Sequence, residues 1–290
     1  MQILLNTIML EPRRWSLPKS VTIPLIKLLP DIKEAGFNEL EIWGYHIWNR
    51  NEKEISSLIE KLKLINITVP SIGSYLTQQE GSERGEILNV AKRYFYLCEK
   101  FESKRLRIFY GNKNFEESRQ DYLEYIDKVF EEILKMGQDK GIIVMPEMHQ
   151  GTVIGSIEGL KRAIEKWKRY SNFGVVYQPY EFKTEPALKA LDVALGHIQS
   201  VHLQNRYNGH FVALSEGDVD YHQVLKKLAI SNYNGPFVLE FTKGVSSSVK
   251  DFNYKNVLSS AIKDKEWLES TWRKVNEQAK ISNESSKRGI

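Results

Sequence analysis

The stretch Ile142-Ile-Val-Met-Pro-Glu-Met-His-Gln-Gly151 decides how this chain is read. An apolar run of strand formers ends in a carboxylate and an imidazole, neither of which core packing requires. If the strand continues, Glu147 and His149 point the same way, because side chains repeat every two residues. Upstream, Tyr122, Ile126, Val129, Phe130, Ile133 and Leu134 keep one helical face apolar. Downstream, Ser156 is placed to cap a second amphipathic helix through Leu160, Ile164 and Trp167. The unit is helix, strand, helix, with polar chemistry at the strand's C-terminal end.

The same alternation extends in both directions. Strands are expected at Gln2–Ile8, Glu39–Trp43, Thr68–Ile72, Arg105–Tyr110, Ile142–Glu147, Gly174–Gln178, Ile198–Gln204 and Phe237–Phe241. Eight strands separated by helices predict a closed parallel (β/α)8 TIM barrel. Thr184-Glu-Pro and Asp220-Tyr-His-Gln read as helix starts, the second with capping-box spacing. Pro24 suits a first helical turn, and Pro30 is expected to kink or divide that helix. Gly36, Gly137 and Gly141 are expected as left-handed stops. No Pro/Gly/Ser-rich linker divides the chain, so residues 1–280 read as one domain. An extra C-terminal helix near Asp264–Ala279, with Trp267, Leu268 and Trp272, is expected to pack on the barrel, a second subunit in a homo-oligomer being the alternative. The polar tail 281–290 is expected to be disordered.

Composition narrows the function classes. A 41% hydrophobic and 27% charged chain of 290 residues can bury a large core. The net charge of +4 is small for this length and forms no basic stripe, which argues against nucleic acid and anionic membranes as partners. No apolar run is long enough to span a bilayer, and the N-terminus reads as a strand rather than a signal peptide. The single cysteine, Cys98, sits in an apolar helical stretch and reads as a buried thiol. A cytoplasmic setting is expected.

A parallel barrel gathers its strand ends at one rim, so distant polar residues converge there. The seventh strand offers His202 and Gln204 on one face, and the eighth puts Glu240 into an otherwise apolar run. A lone buried Glu needs a cationic or metal partner. Glu147, His202 and Glu240 from neighbouring strands therefore read as a divalent-metal site, with ion pairing and core hydrogen bonding as the plainer alternatives. Other rim candidates are Glu41, the aromatic loop with Trp43, His46 and Trp48, His149, and Arg206.

Several segments resemble the sugar phosphate isomerase/epimerase family of the xylose-isomerase-like TIM barrel superfamily. Ala35-Gly-Phe-Asn-Glu-Leu-Glu-Ile-Trp43 resembles its second-strand entry, and Glu147-Met-His-Gln-Gly151 its E-N-H-x-G strand end. Val201-His-Leu203 resembles V-H-L-K-D. Ser215-Glu-Gly-Asp-Val-Asp220, followed by Asn232-Tyr-Asn-Gly-Pro-Phe-Val-Leu-Glu240, resembles G-E-G-D-V-D and G-Y-x-G-x-x-x-L-E. The resemblance implies a divalent ion, Mn²⁺ first with Mg²⁺, Co²⁺ or Zn²⁺ as alternatives, held by Glu147, Gln178, His202 and Glu240. Gln178 departs from the pattern, which has Asp there; Glu181 is a candidate substitute ligand. With Gln178 the ligands carry two negative charges, from Glu147 and Glu240, rather than three.

The implied activity is isomerisation or epimerisation of a sugar or related keto-polyol through an enediolate, with Glu147 and Glu240 removing and returning the proton. Glu41, Trp43, His46, His149 and Arg206 are candidate substrate contacts. The alternatives are a dehydratase or lyase using the same parts, and a metal-free sugar- or metabolite-binding barrel. A multi-zinc phosphodiesterase of the same fold needs more strand-end histidines than the six this chain has. Without a Gly-rich phosphate loop, the sequence leans toward an unphosphorylated sugar.

Overall fold

The computed structural model describes residues 1–179, 181–246 and 250–287, the last six of these by backbone only. All eight expected strands are present as β1 (Ile3–Asn6), β2 (Glu39–Trp43), β3 (Thr68–Gly73), β4 (Arg105–Ile108), β5 (Ile143–Pro146), β6 (Val175–Tyr177), β7 (Ile198–Leu203) and β10 (Phe237–Leu239). They form one parallel sheet in the order β5-β4-β3-β2-β1-β10-β7-β6. Its ends meet through the bridges Val144↔Phe173 and Glu147↔Val176, so the sheet curls into a nearly closed barrel.

Helices α1 (Leu25–Glu34), α2 (Glu52–Leu64), α3 (Arg84–Lys100), α4 (Gln120–Asp139), α5 (Ile157–Trp167), α6 (Thr184–Ala194), α7 (Tyr221–Ile230) and α8 (Tyr254–Lys287) follow the strands in turn. Their starts are legible in the sequence. Ser156 accepts from the Gly159 amide at α5, and Asp220 accepts from His222 and Gln223 at α7. Gly36 and Gly141 take positive φ, 77° and 62°, as left-handed stops.

Of the two expectations at Pro30, division is excluded, because α1 runs through it. Two other helix expectations change. Gly137 lies inside α4, where a Cβ would meet Val144 Cγ2 at 2.8 Å and the Ile142 carbonyl at 3.0 Å. Its missing side chain lets α4 press onto β5, the strand that leads into Glu147. The C-terminal helix is the eighth helix of the barrel, lengthened, rather than an extra one. Its Trp272 packs edge-on to Phe237 of β10 with ring centres 4.9 Å apart. It also carries the backbone of residues 281–287, where disorder was expected, while residues 288–290 lie outside the described residues.

The sequence reading missed a small antiparallel hairpin, β8 (Asn205–Tyr207) and β9 (His210–Val212), between β7 and α7. Its two-residue turn, Asn208-Gly209, has φ of 49° and 77°, the positive values this tight turn demands. Among the described residues no helix is long and apolar enough to cross a membrane. Cys98 is fully buried, and burial pushes its thiol far up.

Candidate active site

Parallel register decides which side chains meet at the barrel mouth. Asn6 of β1 is in register with Glu41 of β2, and Glu41 with Ser71 of β3. The three form a buried row: Asn6 Nδ2 donates to Glu41 Oε1 at 2.8 Å, and Ser71 Oγ donates to Oε2 at 2.7 Å. Across the barrel, His202 of β7 is fully buried among three carboxylates. Its Nε2 lies 3.1 Å from Glu41 Oε1, and its Nδ1 lies 3.7 Å from Glu147 Oε1 and 3.6 Å from Glu240 Oε1. Nε2 therefore faces Glu41, while Nδ1 faces Glu147 and Glu240. Burial opposes charge on the ring, but Glu41 and Glu240, joined by Glu147, push its pKa well above the ordinary value.

The three carboxylates are held differently. Burial would raise Glu41, yet His202, Arg107 and Ser71 keep it below its usual range. Glu147 faces Arg107 of β4, with Nε 3.0 Å from Oε2 and both side chains buried. Burial alone would raise Glu147 too; the guanidinium, with His202 behind it, brings it down to about 2. Arg107 is fixed in turn by donating to the Ser74 carbonyl at 2.6 Å. Glu240 instead accepts from the neutral amide of Gln204 at 2.8 Å.

Ligand atoms of Glu147, His202 and Glu240 lie within 4.8 Å of one another. Both ring nitrogens of His202 and Gln178 Oε1 are buried without a hydrogen-bond partner among the described residues. Two carboxylates, an imidazole and an amide oxygen suit a hard or borderline divalent cation. With His202 neutral, as ligation of a metal requires, three carboxylates less one guanidinium leave two negative charges, which one such ion would match. These residues fit a divalent metal. Above them opens a cavity of about 570 Å³, within the range of small-molecule sites, whose wall includes Glu147, Gln178, Glu240, Arg107 and Tyr75.

Residues 29–271 match the xylose isomerase-like TIM barrel family. The chain belongs to that family. Solved structures with the same fold include the probable 3-DHS dehydratase AsbF of Bacillus anthracis, at 17% identity and TM-score 0.72, covering 91% of this chain and 98% of that one. D-Psicose 3-epimerase of Clostridium cellulolyticum H10, in complex with D-tagatose, gives 15% identity and TM-score 0.70 over 94% and 99%. A xylose isomerase-like TIM barrel protein of Mycobacterium smegmatis, in complex with magnesium, gives 17% and 0.66 over 91% and 97%. No curated protein matches the chain.

Within this family fold, the structure brings Glu147, His202 and Glu240 together and puts Gln178 on the same cavity wall. His149 and Arg206 also line the cavity. β5 ends before Glu147, however, so His149 does not share its burial. The His149 ring packs edge-on to Phe109 at 5.3 Å, and its Nδ1 meets the Gln150 carbonyl.

The remaining rim candidates are placed differently. Glu41 is buried behind His202 and is not among the residues that line the cavity. Trp43 and His46 are buried in the core: the Trp43 indole donates to Tyr75 and His46 meets the Thr7 hydroxyl. Trp48 packs on Tyr94. Glu181 is exposed and lies outside the group of Glu147, His202 and Glu240.

Arg107, Tyr75 and Lys19 were missed. A signal existed for Arg107, a charge inside the short run Arg105-Leu-Arg-Ile108, the same clue that singled out Glu240.

Proposed function

We propose that this protein is a divalent-metal-dependent enzyme that moves a proton on a carbon next to a carbonyl, in a sugar or keto-polyol, through an enediolate. The observation that carries this reading is His202 itself: one nitrogen is backed by Glu41, and the other faces the carboxylates Glu147 and Glu240 at the floor of a cavity. Glu147, Gln178, His202 and Glu240 would hold the ion, Mn²⁺ by preference and Mg²⁺ as the alternative. When bound, it supplies charge stabilisation for adjacent carbonyl and hydroxyl oxygens of the substrate.

The two carboxylates have unequal parts. Arg107 makes Glu147 a weak base, whereas among the described residues Glu240 pairs at short range with the neutral Gln204 amide and His202. Glu240 therefore takes the proton. Glu147 keeps its charge on the ion and returns a proton only when the reaction inverts a stereocentre. A single working base suits isomerisation, or loss of a β-hydroxyl as in a dehydratase, better than epimerisation. A cytoplasmic setting suits the buried, unpaired Cys98.

A specific observation favours a second reading, a metabolite-binding barrel without a metal. Gln178 brings no charge, and Arg107 already occupies one face of Glu147. The test is metal analysis and Mn²⁺ titration of purified protein, together with deuterium uptake from D₂O into a panel of ketoses, followed by NMR. The enzyme reading expects bound Mn²⁺, uptake by wild type, and tighter Mn²⁺ binding by Gln178→Asp. Uptake surviving in Glu240→Gln would sink the assignment of the base. Absence of both metal and uptake in wild type hands the site to the binding reading.

A further inference from the structure

Charge bookkeeping at the cavity does not end at the metal centre. Five Lys, Arg and Glu side chains line it: Lys19, Arg107, Arg206, Glu147 and Glu240. Arg107 is committed to Glu147. With a divalent ion in place, Glu41, Glu147, Glu240, Arg107 and the ion sum to zero. Lys19 and Arg206 then remain: the charge acting on Lys19 is that of Arg107, Arg206 feels Glu240 only at a distance, and among the described residues neither has a carboxylate in direct ion pairing.

Both are built into the wall rather than left to solvent. Lys19, in the loop between β1 and α1, donates from Nζ to the Arg14 carbonyl at 2.6 Å and sits 5.0 Å from the Tyr75 ring centre. Arg107 lies 5.5 Å from that same ring, so two cations flank one aromatic with no anion assigned to Lys19. Arg206, on β8, is stacked against Phe182 at 4.3 Å and Phe211 at 4.5 Å. Its Nε is buried with no hydrogen-bond partner among the described residues. Burying a charged donor unpaired is costly unless a ligand completes it. Aromatic plates that fix a guanidinium also lower the entropy lost when it grips an anion.

We infer that the substrate is an acid: a carboxylate or phosphate on the keto-polyol is met by Lys19 and Arg206, while its keto-hydroxyl end lies at Glu147 and Glu240. The inference rests on the enzyme reading above for where the reacting end lies, and on the wall residues alone for the anion. A phosphate there departs from the unphosphorylated sugar toward which the sequence leans, and a carboxylate agrees with it.

The test is calorimetric binding to the full chain, with and without Mn²⁺, of D-fructose, 2-keto-D-gluconate and D-fructose 6-phosphate. At least one anion is expected to bind about tenfold tighter than D-fructose. Lys19→Met and Arg206→Met should each remove about tenfold of that affinity while leaving D-fructose unchanged. Lys19→Arg should retain it. A keto-acid winner assigns the subsite to a carboxylate, and an ester winner assigns it to a phosphate. The inference is overturned if neither anion binds more tightly than D-fructose, or if the variants weaken all three alike. Anion preference without deuterium uptake upholds the subsite and removes the enzyme reading. Uptake into neutral ketoses without anion preference does the reverse.

Discussion

His46 and His202 are both fully buried histidines near the C-terminal ends of barrel strands, yet their surroundings shift them in opposite directions. His46 follows β2 in a 3-10 turn, and its Nδ1 meets the Thr7 hydroxyl at 2.9 Å. Burial, helped by the nearby Arg50 charge, pushes it down to about 3, so it is a neutral core residue. His202 is as deeply buried but ringed by Glu41, Glu147 and Glu240, and it is pushed up instead. Depth does not set the chemistry of an imidazole; the partners that strand register supplies do. One histidine lies in the core beside a hydroxyl, and the other lies among the carboxylates of the candidate site.

The widest separation is expected on removing each ring. His202→Leu leaves three buried carboxylates without their common partner and should cost about 3–5 kcal/mol in a urea melt. His46→Leu forfeits one neutral hydrogen bond and should cost about 1 kcal/mol. Equal losses would break the contrast.

Acid sharpens it next. The folded pKa of His46 is depressed, so its contribution is present above the free value of 6.5 and is lost as pH falls toward about 3. Each pH unit in that window costs about 1.4 kcal/mol. His46→Asn should therefore lose less stability than wild type between these limits, as read from melting temperature against pH.

Arg107→Met probes the charge that distinguishes Glu147 from Glu240. It should destabilise by about 3 kcal/mol and raise the Glu147 carboxyl, visible as a protonated-acid infrared band at higher pH.

The smallest expected effect lies away from the mouth. Asp264 of α8 accepts from Thr242 and the Leu214 amide, and burial, with Glu216 adding, raises it to about 6. A raised acid stabilises most below its free value of 3.8 and loses that contribution as pH rises through about 6. The loss is on the order of 2–3 kcal/mol. Asp264→Asn should flatten the pH dependence of melting temperature over that interval.

The barrel was legible because each strand is a short β-branched run and each intervening segment carries an apolar stripe. Glu147, His202 and Glu240 were legible because a charge or imidazole closing such a run violates packing. Arg107 broke the same rule and was passed over, because β4 is only four residues long and begins with another arginine. Glu41, Trp43 and His46 were assigned to the rim because sequence fixes which strand a side chain sits on but not its height in the barrel. Register with Asn6 and Ser71 sinks Glu41 below the cavity. The hairpin announced itself in Asn208-Gly209, but its neighbours look like an ordinary loop.

The seam where the staves of this cask meet lies between β5 and β6, and it is closed by few fastenings. Glu147 is one of them: it bridges to Val176 of β6, two residues before Gln178, where the Met148 amide donates to the Val176 carbonyl at 3.1 Å. Whatever draws Glu147 and Gln178 toward one point acts as a hoop across the last joint. Part of the grip on the ligand is then spent tightening the vessel, so filling it and sealing it become the same event.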